Sequence, residues 1–540
     1  MLPLRDDLPT RSRYSQAAGI ERIVPRAVAR PHTRGELAAV VAWAEARDLP
    51  VTPRGAGSAM DGSSIGAGLV LDLTALDAGA PVRIDPVTRL AVVAPGLSGG
   101  QLAAAAAPHG LRFGPDPSSL AWATVGGMIG TNAAGARSYR LGAVDRWVEA
   151  IELWTTDGPL ELRRGVAPDP AHPVVDRFVR DAAPLLDRLE AVVRPRWPRT
   201  RKNTAGYGLH RFWSTGDLLD LVIGSEGTLG PILGATLRLE PIPTVHHTLE
   251  VVLQERAGLG AAVEALAGAE PVAIELLDAS FLRLVGATAP GEAPWQGAGA
   301  VLLVDVEGSD AAEVGDRIDR ARAALAAAGA AVREASSPEG RAALWNLRHR
   351  ASPILAALAD GRRSLQVIED GCVPPASLDR YLAAIQAACD AESIDVVMFG
   401  HAGDGHVHVN LLPDLGRPDW LAGVRRIHDR VLATLRHLGG TPAGEHGAGR
   451  LRAPVLGELL GPEAIACFAA IKSAFDPAGR WNPGVILSDG SDPFQRLKLG
   501  DAAEPLAPGV AEELAELEAR RGYGRSRWDA APVPEERGSS

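Results

Sequence analysis

The chain has 540 residues, 46% of them apolar, and a net charge of −11. At roughly 100–200 residues per domain, such a length predicts two or three domains, and the apolar content is ample for their cores. The acidic balance argues against nucleic acid, whose phosphates need basic patches.

The N-terminus, MLPLRDDLPTRSRYSQ, has no apolar core of signal-peptide length, and no run of about 18 apolar residues follows, so no membrane span is expected. Residues 1–20 read as an irregular lead-in. Thr33 and Glu36 stand at capping-box spacing, and Leu37, Val40, Val41 and Ala44 share one helical face. The helix gives way near Asp48 to a short strand in "PVTPRGAG" that enters a glycine turn. "VRIDPVTRLAVVAPG" predicts a hairpin, 82–84 with 90–93. Ser98 and Gln101 open another capped helix, ending near Gly110. Two prolines in "LEPIPTVHH" (239–247) mark a seam that closes a glycine-rich half. Beyond it, strands ("TLEVVLQ", "AVLLVDVEG") alternate with alanine-rich helices ("DRIDRARAALAAAG"), which predicts an α+β domain with an antiparallel sheet to about Leu487. The expected division is 1–20, 21–243, 244–487 and 488–540. The last part reads as a proline-rich linker, a short helix with Val510, Leu514 and Leu517 on one face, and a disordered tail.

Cys372, Cys389 and Cys467 stand apart, which gives neither an unaided iron–sulfur site nor a disulfide framework and suits a reducing cytoplasm. Four glycine-rich stretches fall in the first half: "PRGAGSAMDGSS" (53–64), "GPDPSSLAWATVGGMIGTNAAGARS" (114–138), "KNTAGYGL" (202–209) and "GSEGTLG" (224–230). Such loops bring backbone close to a ligand and can form nests of N–H groups that hold phosphate. A Rossmann site fails, because Met60 stands where the third glycine of GxGxxG belongs after Gly55 and Gly57, and no Walker motif occurs.

In the second half, "DVVMFGHAGDGHVHVNLLP" reads as strand, glycine turn, strand. His406, His408 and Asn410 then share a face by the period of two, and His401 stands across the turn, so His401 and His408 can converge. "PAGEHGAGR" offers Glu445 and His446 on another glycine loop. Two imidazoles and a carboxylate make a common metal set. A polar hairpin with backbone-bonded histidines is the alternative.

"TPRGAGS", "GPDPSS", "TVGGMIGTNAAG", "KNTAGYGL" and "VIGSEGTLG" together resemble the FAD-binding domain of the vanillyl-alcohol oxidase (PCMH-type) superfamily. "GHAGDGHVHVN", "GEHGAGR" and "AFDPAGRWNPGVIL" resemble its FAD-linked oxidase C-terminal domain. Within that superfamily the chain is similar to D-lactate, glycolate and D-2-hydroxyglutarate dehydrogenases, over about residues 14–487. The resemblance implies an α+β fold: a two-subdomain FAD-binding domain, then an α+β substrate (cap) domain with an antiparallel sheet. It implies that Pro53, Arg54, Gly55, Ala56, Gly57 and Ser58 wrap the FAD pyrophosphate, and that Pro115, Asp116 and Ser118 line the flavin cleft. Thr124, Gly126, Gly127, Asn132 and Gly135 would track the cofactor. Glu226, Gly227, Thr228 and Gly230 would hold its adenosine side, and Asn482 would reach back to the flavin. "RGAGSAMDG" lacks the histidine that some members bond to flavin, so noncovalent FAD is expected.

The same resemblance assigns a divalent metal (zinc, manganese or iron) to His401, His408 and Glu445, the base to His446, substrate contacts to Asn410 and Ser352, and the substrate carboxylate to Arg348. It leaves His406 as an outer or surface residue. The implied reaction is oxidation of a D-2-hydroxy acid, with electrons leaving for a quinone, an electron-transfer flavoprotein or a separate iron–sulfur protein. The expected setting is cytoplasmic, at most peripheral to a membrane. One departure is the missing lysine in "DGRRSLQVIEDGCVPP", where D-2-hydroxyglutarate dehydrogenases hold a distal carboxylate. Arg362 or Arg363 would have to substitute, and a monocarboxylate stays open. The competing readings are an alkyl-glycerone-phosphate-synthase-like transferase, a flavin subunit dependent on partners, and an inactive flavin scaffold.

Overall fold

The structure, a computed structural model, describes residues 2–286, 295–327, 329–350, 354–355, 358, 361–500, 503–520 and 522–529. Ser352 and the tail from 530 lie outside the described residues.

The first half carries two principal sheets among the described residues. One has the order Leu4–Arg5, Ala27–Ala29, Leu69–Asp72, Val51–Arg54, with the last three strands parallel. The helix Arg34–Glu45 covers it with Leu37, Val40, Val41 and Ala44, all buried. Thr33 caps that helix through the Glu36 N–H, but the Glu36 carboxylate reaches one residue further back, to the His32 N–H at 2.7 Å. The Ser98–Gln101 box is complete in both directions. The other sheet is antiparallel, in the order Arg83–Asp85, Leu90–Val93, Ile232–Arg238, Val148–Thr155, Gly158–Arg163.

The second half is built on an antiparallel sheet ordered Ala331–Ala335, Val245–Leu253, Ala300–Gly308, Ala273–Asp278, Asp395–His401, His406–Leu412, Gly371–Cys372. The central strands are covered on both faces, so Ala273–Asp278 and Ala300–Gly308 are apolar over most of their length rather than alternating. Successive residues divide between two cores by the period of two: Val251, Leu276, Leu302 and Met398 pack under helices such as Leu378–Glu392, while Val252, Leu277, Leu303 and Phe399 pack on the other side with Leu347. That second face turns polar toward one end, and the polar end faces the first half.

Residues 443–487 return to the first half. Helix Pro462–Phe475 packs on Ala183–Val193, and the Phe468 ring meets Tyr207 edge-on at 5.5 Å. The Val51 N–H donates to Arg480 O at 2.9 Å, and Asn482 N–H to Val51 O at 2.9 Å. Two stretches differ from expectation. The lead-in forms helix Leu8–Arg13 and buries Tyr14. The stretch read as a linker is docked, because its few apolar residues, Phe494 and Leu497, insert into the core while Lys498 N–H bonds Ile20 O at 2.8 Å.

Candidate active site

A cavity of about 690 Å³ lies between the halves. Its first-half wall comes from Pro53, Arg54, Gly55, Ala56, Gly57, Ser58, Asp116, Ser118, Thr124, Gly126, Gly127, Gly135, Glu226, Gly227 and Gly230; its second-half wall includes Arg348, His401, His408, Asn410, Glu445 and His446. The sequence therefore brought most of its candidates to one place. The glycines are there because the loops touch. A Cβ on Gly55 would sit 2.1 Å from Thr124 Oγ1, and one on Gly230, at φ +133°, would sit 2.0 Å from Trp154 O.

Pro115, Asn132, Thr228 and Asn482 do not line the cavity; they are buried behind it. Asn132 accepts from the Asp145 N–H at 2.9 Å, and Thr228 shares a 2.7 Å hydrogen bond with Tyr207. Asn482 buckles two loops, donating to Ser63 O at 2.7 Å and Glu226 O at 2.8 Å. Glu226 lines the wall, yet its carboxyl oxygens accept from the Ala448 and Gly449 N–H groups at 2.8 and 2.7 Å. Burial, with Asp61 beside it, raises its carboxyl well above the usual range. Both Glu226 oxygens are thus taken up by the 448–449 loop. The glycine backbone of Gly55, Gly57, Gly126, Gly127 and Gly227 lines this wall, a surface that can approach the diphosphate of a dinucleotide closely.

At the other end, strand pairing sets the histidines. His401 lies opposite His406, Phe399 opposite His408 and Val397 opposite Asn410, all on one face. His401 Nε2 and His408 Nε2 are 3.3 Å apart, and Glu445 Oε1 lies 3.3 Å from the former and 3.5 Å from the latter. Each imidazole is held by its other nitrogen. His401 Nδ1 bonds the Glu275 carboxylate, and His408 Nδ1 meets Glu369 O at 3.2 Å. Such partners fix the tautomer that turns the Nε2 lone pair to the common point. His406 is 0% exposed, so it is no surface residue. It bonds Asp370 at 2.9 Å through Nε2, while its buried Nδ1 has no hydrogen-bond partner and lies 3.8 Å from Glu445 Oε2. The ligand atoms of His401, His406, His408 and Glu445 all lie within 4.8 Å of one another.

Glu275, Glu369, Asp370, Asp404 and Glu445 are buried here, paired with Lys202, Arg348, Arg452 and His446, with Arg201 at the edge 3.4 Å from Asp404. An imidazole–carboxylate set with an orphaned nitrogen beside it fits a divalent transition metal. Burial opposes ionisation of Glu275, but His401 and Arg348 beside it hold it down at about 2. Burial opposes a charge on His446 too, yet Glu369 and Asp370 keep it well above the usual histidine range. Burial pushes His408 down to about 4.

His446 Nδ1 is pinned 2.7 Å from Glu369 Oε2, and its Nε2 stands 3.3 Å from Glu445 Oε1. Arg348 comes from helix Pro338–His349, which crosses this face. It donates to Glu275 Oε2 at 3.0 Å and lies over the Phe399 ring at 4.4 Å. Asn410 Oδ1 accepts from Ser364 at 3.1 Å and Gln366 at 3.0 Å, which orients the amide. Arg362 and Arg363 do not substitute for the missing lysine. Arg362 pairs with Asp395 at 2.8 Å, Arg363 bonds backbone carbonyls, and neither lines the cavity. Arg137 does line it, 3.3 Å from Asp116.

Sequence reasoning missed Glu275, Glu369, Asp370 and Lys202. Glu275 was detectable as a carboxylate inside a strand buried at every position. Glu369 and Asp370 sit between "QVI" and a glycine with no helix to expose them. Lys202 is one of only three lysines in an arginine-rich chain. Its ammonium donates to Glu445 Oε2 at 2.7 Å and stands 3.5 Å from Asp404.

Residues 25–162 match the FAD binding domain family, and residues 242–486 match the family described as FAD linked oxidases, C-terminal domain. The glycolate oxidase subunit GlcD of Bacillus subtilis is 28% identical over 471 residues, covering 86% of this chain and 89% of that one. The D-lactate dehydrogenase of Archaeoglobus fulgidus is 29% identical over 476 residues, covering 86% and 93%. A D-2-hydroxyglutarate dehydrogenase of Pseudomonas putida is 29% identical over 512 residues, but the match spans 50% of its length. Among solved structures, an alkyldihydroxyacetonephosphate synthase superposes with a TM-score of 0.62 at 16% identity, covering 89% of this chain and 82% of that one, a likeness of fold.

Proposed function

The chain belongs to the FAD-linked oxidases, and on that premise we propose that it oxidises a D-2-hydroxy acid of the lactate, glycolate or 2-hydroxyglutarate type to the 2-oxo acid. The observation that carries this reading is the meeting of His401, His408, Glu445 and His446 beside Arg348, at one end of a glycine-walled cavity. FAD, when bound, supplies the hydride acceptor, and a divalent metal held by His401, His408 and Glu445 supplies positive charge that makes the substrate hydroxyl more acidic.

The chain's own groups do the rest. Arg348 takes the substrate carboxylate through its guanidinium, kept in place by Glu275 and the Phe399 ring. His446 takes the hydroxyl proton at Nε2 from its neutral form, Nδ1 being committed to Glu369; the acidic neighbours that raise it make it a strong base, and a cation held at Glu445, 3.3 Å from Nε2, would favour the neutral form. Asn410 orients the acid. The Cα hydrogen leaves with its electron pair, the hydroxyl proton leaves to His446, and the carbonyl forms. Reducing equivalents then pass to a separate acceptor (a quinone, an electron-transfer flavoprotein or an iron–sulfur protein). The three cysteines are each buried and free. Among the described residues no helix is long and apolar enough to cross a membrane.

The test is anaerobic bleaching of the bound flavin by D-lactate, D-2-hydroxyglutarate, glycolate and the L-enantiomers, with and without a chelator. One D-acid or glycolate is expected to bleach the flavin quickly, and the chelator to suppress it. Bound FAD that no acid reduces would overturn the reading and favour a subunit that needs its partner; the Bacillus relative is named a subunit. Arg348→Ala is expected to lower kcat/KM for the substrate so found by roughly ten- to a hundredfold, mostly through KM, the size of a lost charge-assisted hydrogen bond. An unchanged KM in steady-state kinetics would remove Arg348 from the site.

A further inference from the structure

The cavity has a wall that belongs to neither matched family domain. Glu518 and Tyr523 line it, although the C-terminal domain match ends at residue 486. They come from helix Val510–Ala519 and the stretch 522–529 that follows. The Tyr523 ring lies 6.3 Å from that of Trp122, tilted by 31°, and Trp122 also lines the cavity, two residues before the Thr124 cap.

The segment is fastened at many points, and most of them lie on the lead-in. Arg13 pairs with Glu513 at 2.9 Å, and Ser12 Oγ accepts from the Ala507 N–H at 3.0 Å. Arg527, itself buried, donates to Arg13 O at 3.1 Å. Arg5 stacks over Trp528 at 4.2 Å, and Arg30 pairs with Asp529 at 2.9 Å. Glu518 accepts from Lys498 at 2.7 Å and from Gln16 at 3.2 Å, so its charge is balanced where it meets the cavity.

The lead-in in turn grips the first glycine loop. The Ala18 and Gly19 N–H groups donate to Gly57 O and Ala59 O at 3.2 and 3.3 Å. Arg54, buried at the base of that loop, donates to Gln16 O at 3.0 Å. Loop, lead-in and C-terminal segment form one continuous stack, with the loop and Tyr523 both facing the cavity.

We propose that the C-terminal segment is a clasp that retains FAD, with Tyr523 as its cofactor-facing contact and Glu518 as the salt-bridged edge beside it. The proposal rests on the cavity holding FAD. A noncovalent dinucleotide needs a slow dissociation rate, and an aromatic ring on the wall near the cofactor loop supplies it without touching the reacting end.

The test compares FAD release from the parent holoenzyme, Tyr523→Phe and Tyr523→Ala, followed by the rise of free-flavin fluorescence after dilution. Tyr523→Ala is expected to release FAD about tenfold faster, a loss typical of an aromatic contact, while Tyr523→Phe stays near the parent. Hydrogen exchange of the parent, as apoprotein and after FAD addition, is read in parallel. FAD is expected to slow exchange in residues 510–520 and 522–529. Release within twofold of the parent from folded Tyr523→Ala overturns the clasp. Exchange in those residues that is indifferent to FAD overturns it as well, and decides the matter should the alanine variant not fold. A parent that takes up no FAD would sink the cofactor reading itself, whereas FAD bound tightly but indifferently to Tyr523 sinks only the clasp.

Discussion

His446→Ala is expected to keep its FAD and to lose flavin reduction by the 2-hydroxy acid by roughly 10²- to 10⁴-fold, the range of a positioned acid–base group. The geometry explains why the loss should be confined to chemistry. The His446 backbone N–H donates to Asp370 at 3.0 Å and the Glu445 N–H to the other oxygen of the same carboxylate at 3.1 Å. Those bonds survive truncation, so the loop keeps its course. What goes is the imidazole that Glu369 aims, itself held by Arg452. The measurement is stopped-flow flavin reduction at saturating acid, with chemical reduction by dithionite as the control. A variant reduced within threefold of the parent rate would assign the proton to another acceptor.

Lys202→Met is expected to be the most destabilising single change at the site, by about 3–5 kcal/mol, the range seen when one partner of a buried ion pair is removed. The ammonium is 4% exposed and serves Glu445 and Asp404, which are 6% and 2% exposed. It also donates to Gly135 O at 3.2 Å. Methionine preserves the length of the side chain and none of these bonds, leaving two carboxylates in the interior with one cation fewer. A urea titration reads the effect. Arg180→Ala, which breaks an exposed pair with Asp176, should leave the same titration unmoved. Equal midpoints for the two variants would show that the Lys202 charge is not structural.

What the sequence made legible was local. Alternation put His406, His408 and Asn410 on one face, and the short glycine turn brought His401 across to meet them, because such a hairpin pairs nearest neighbours. Capping spacing marked the starts of two helices, and the glycine loops marked one wall of the cavity. What stayed hidden was pairing between distant segments. Glu275 meets His401 from a strand 126 residues earlier, and Lys202 meets Glu445 across 243 residues. Periodicity says which face a residue takes but not what stands opposite it. Asn482 was hidden in the same way: its amide braces two distant loops behind the cavity wall. The C-terminal stretch misled for a second reason. Phe494 and Leu497 are too sparse to register as a pattern, yet each is buried.

The ties across the two halves bear on how such a protein can be recombined. Besides Lys202 with Glu445, Ser138 donates to Asp404 at 2.7 Å, and Glu226 receives the Ala448 and Gly449 amides. A chimaera joined near residue 243 from two relatives would inherit one partner of each pair from each parent. Grafting the second half of this chain onto a foreign flavin module therefore requires that Ser138, Lys202 and Glu226 travel with it, which a junction at the seam between the halves does not allow.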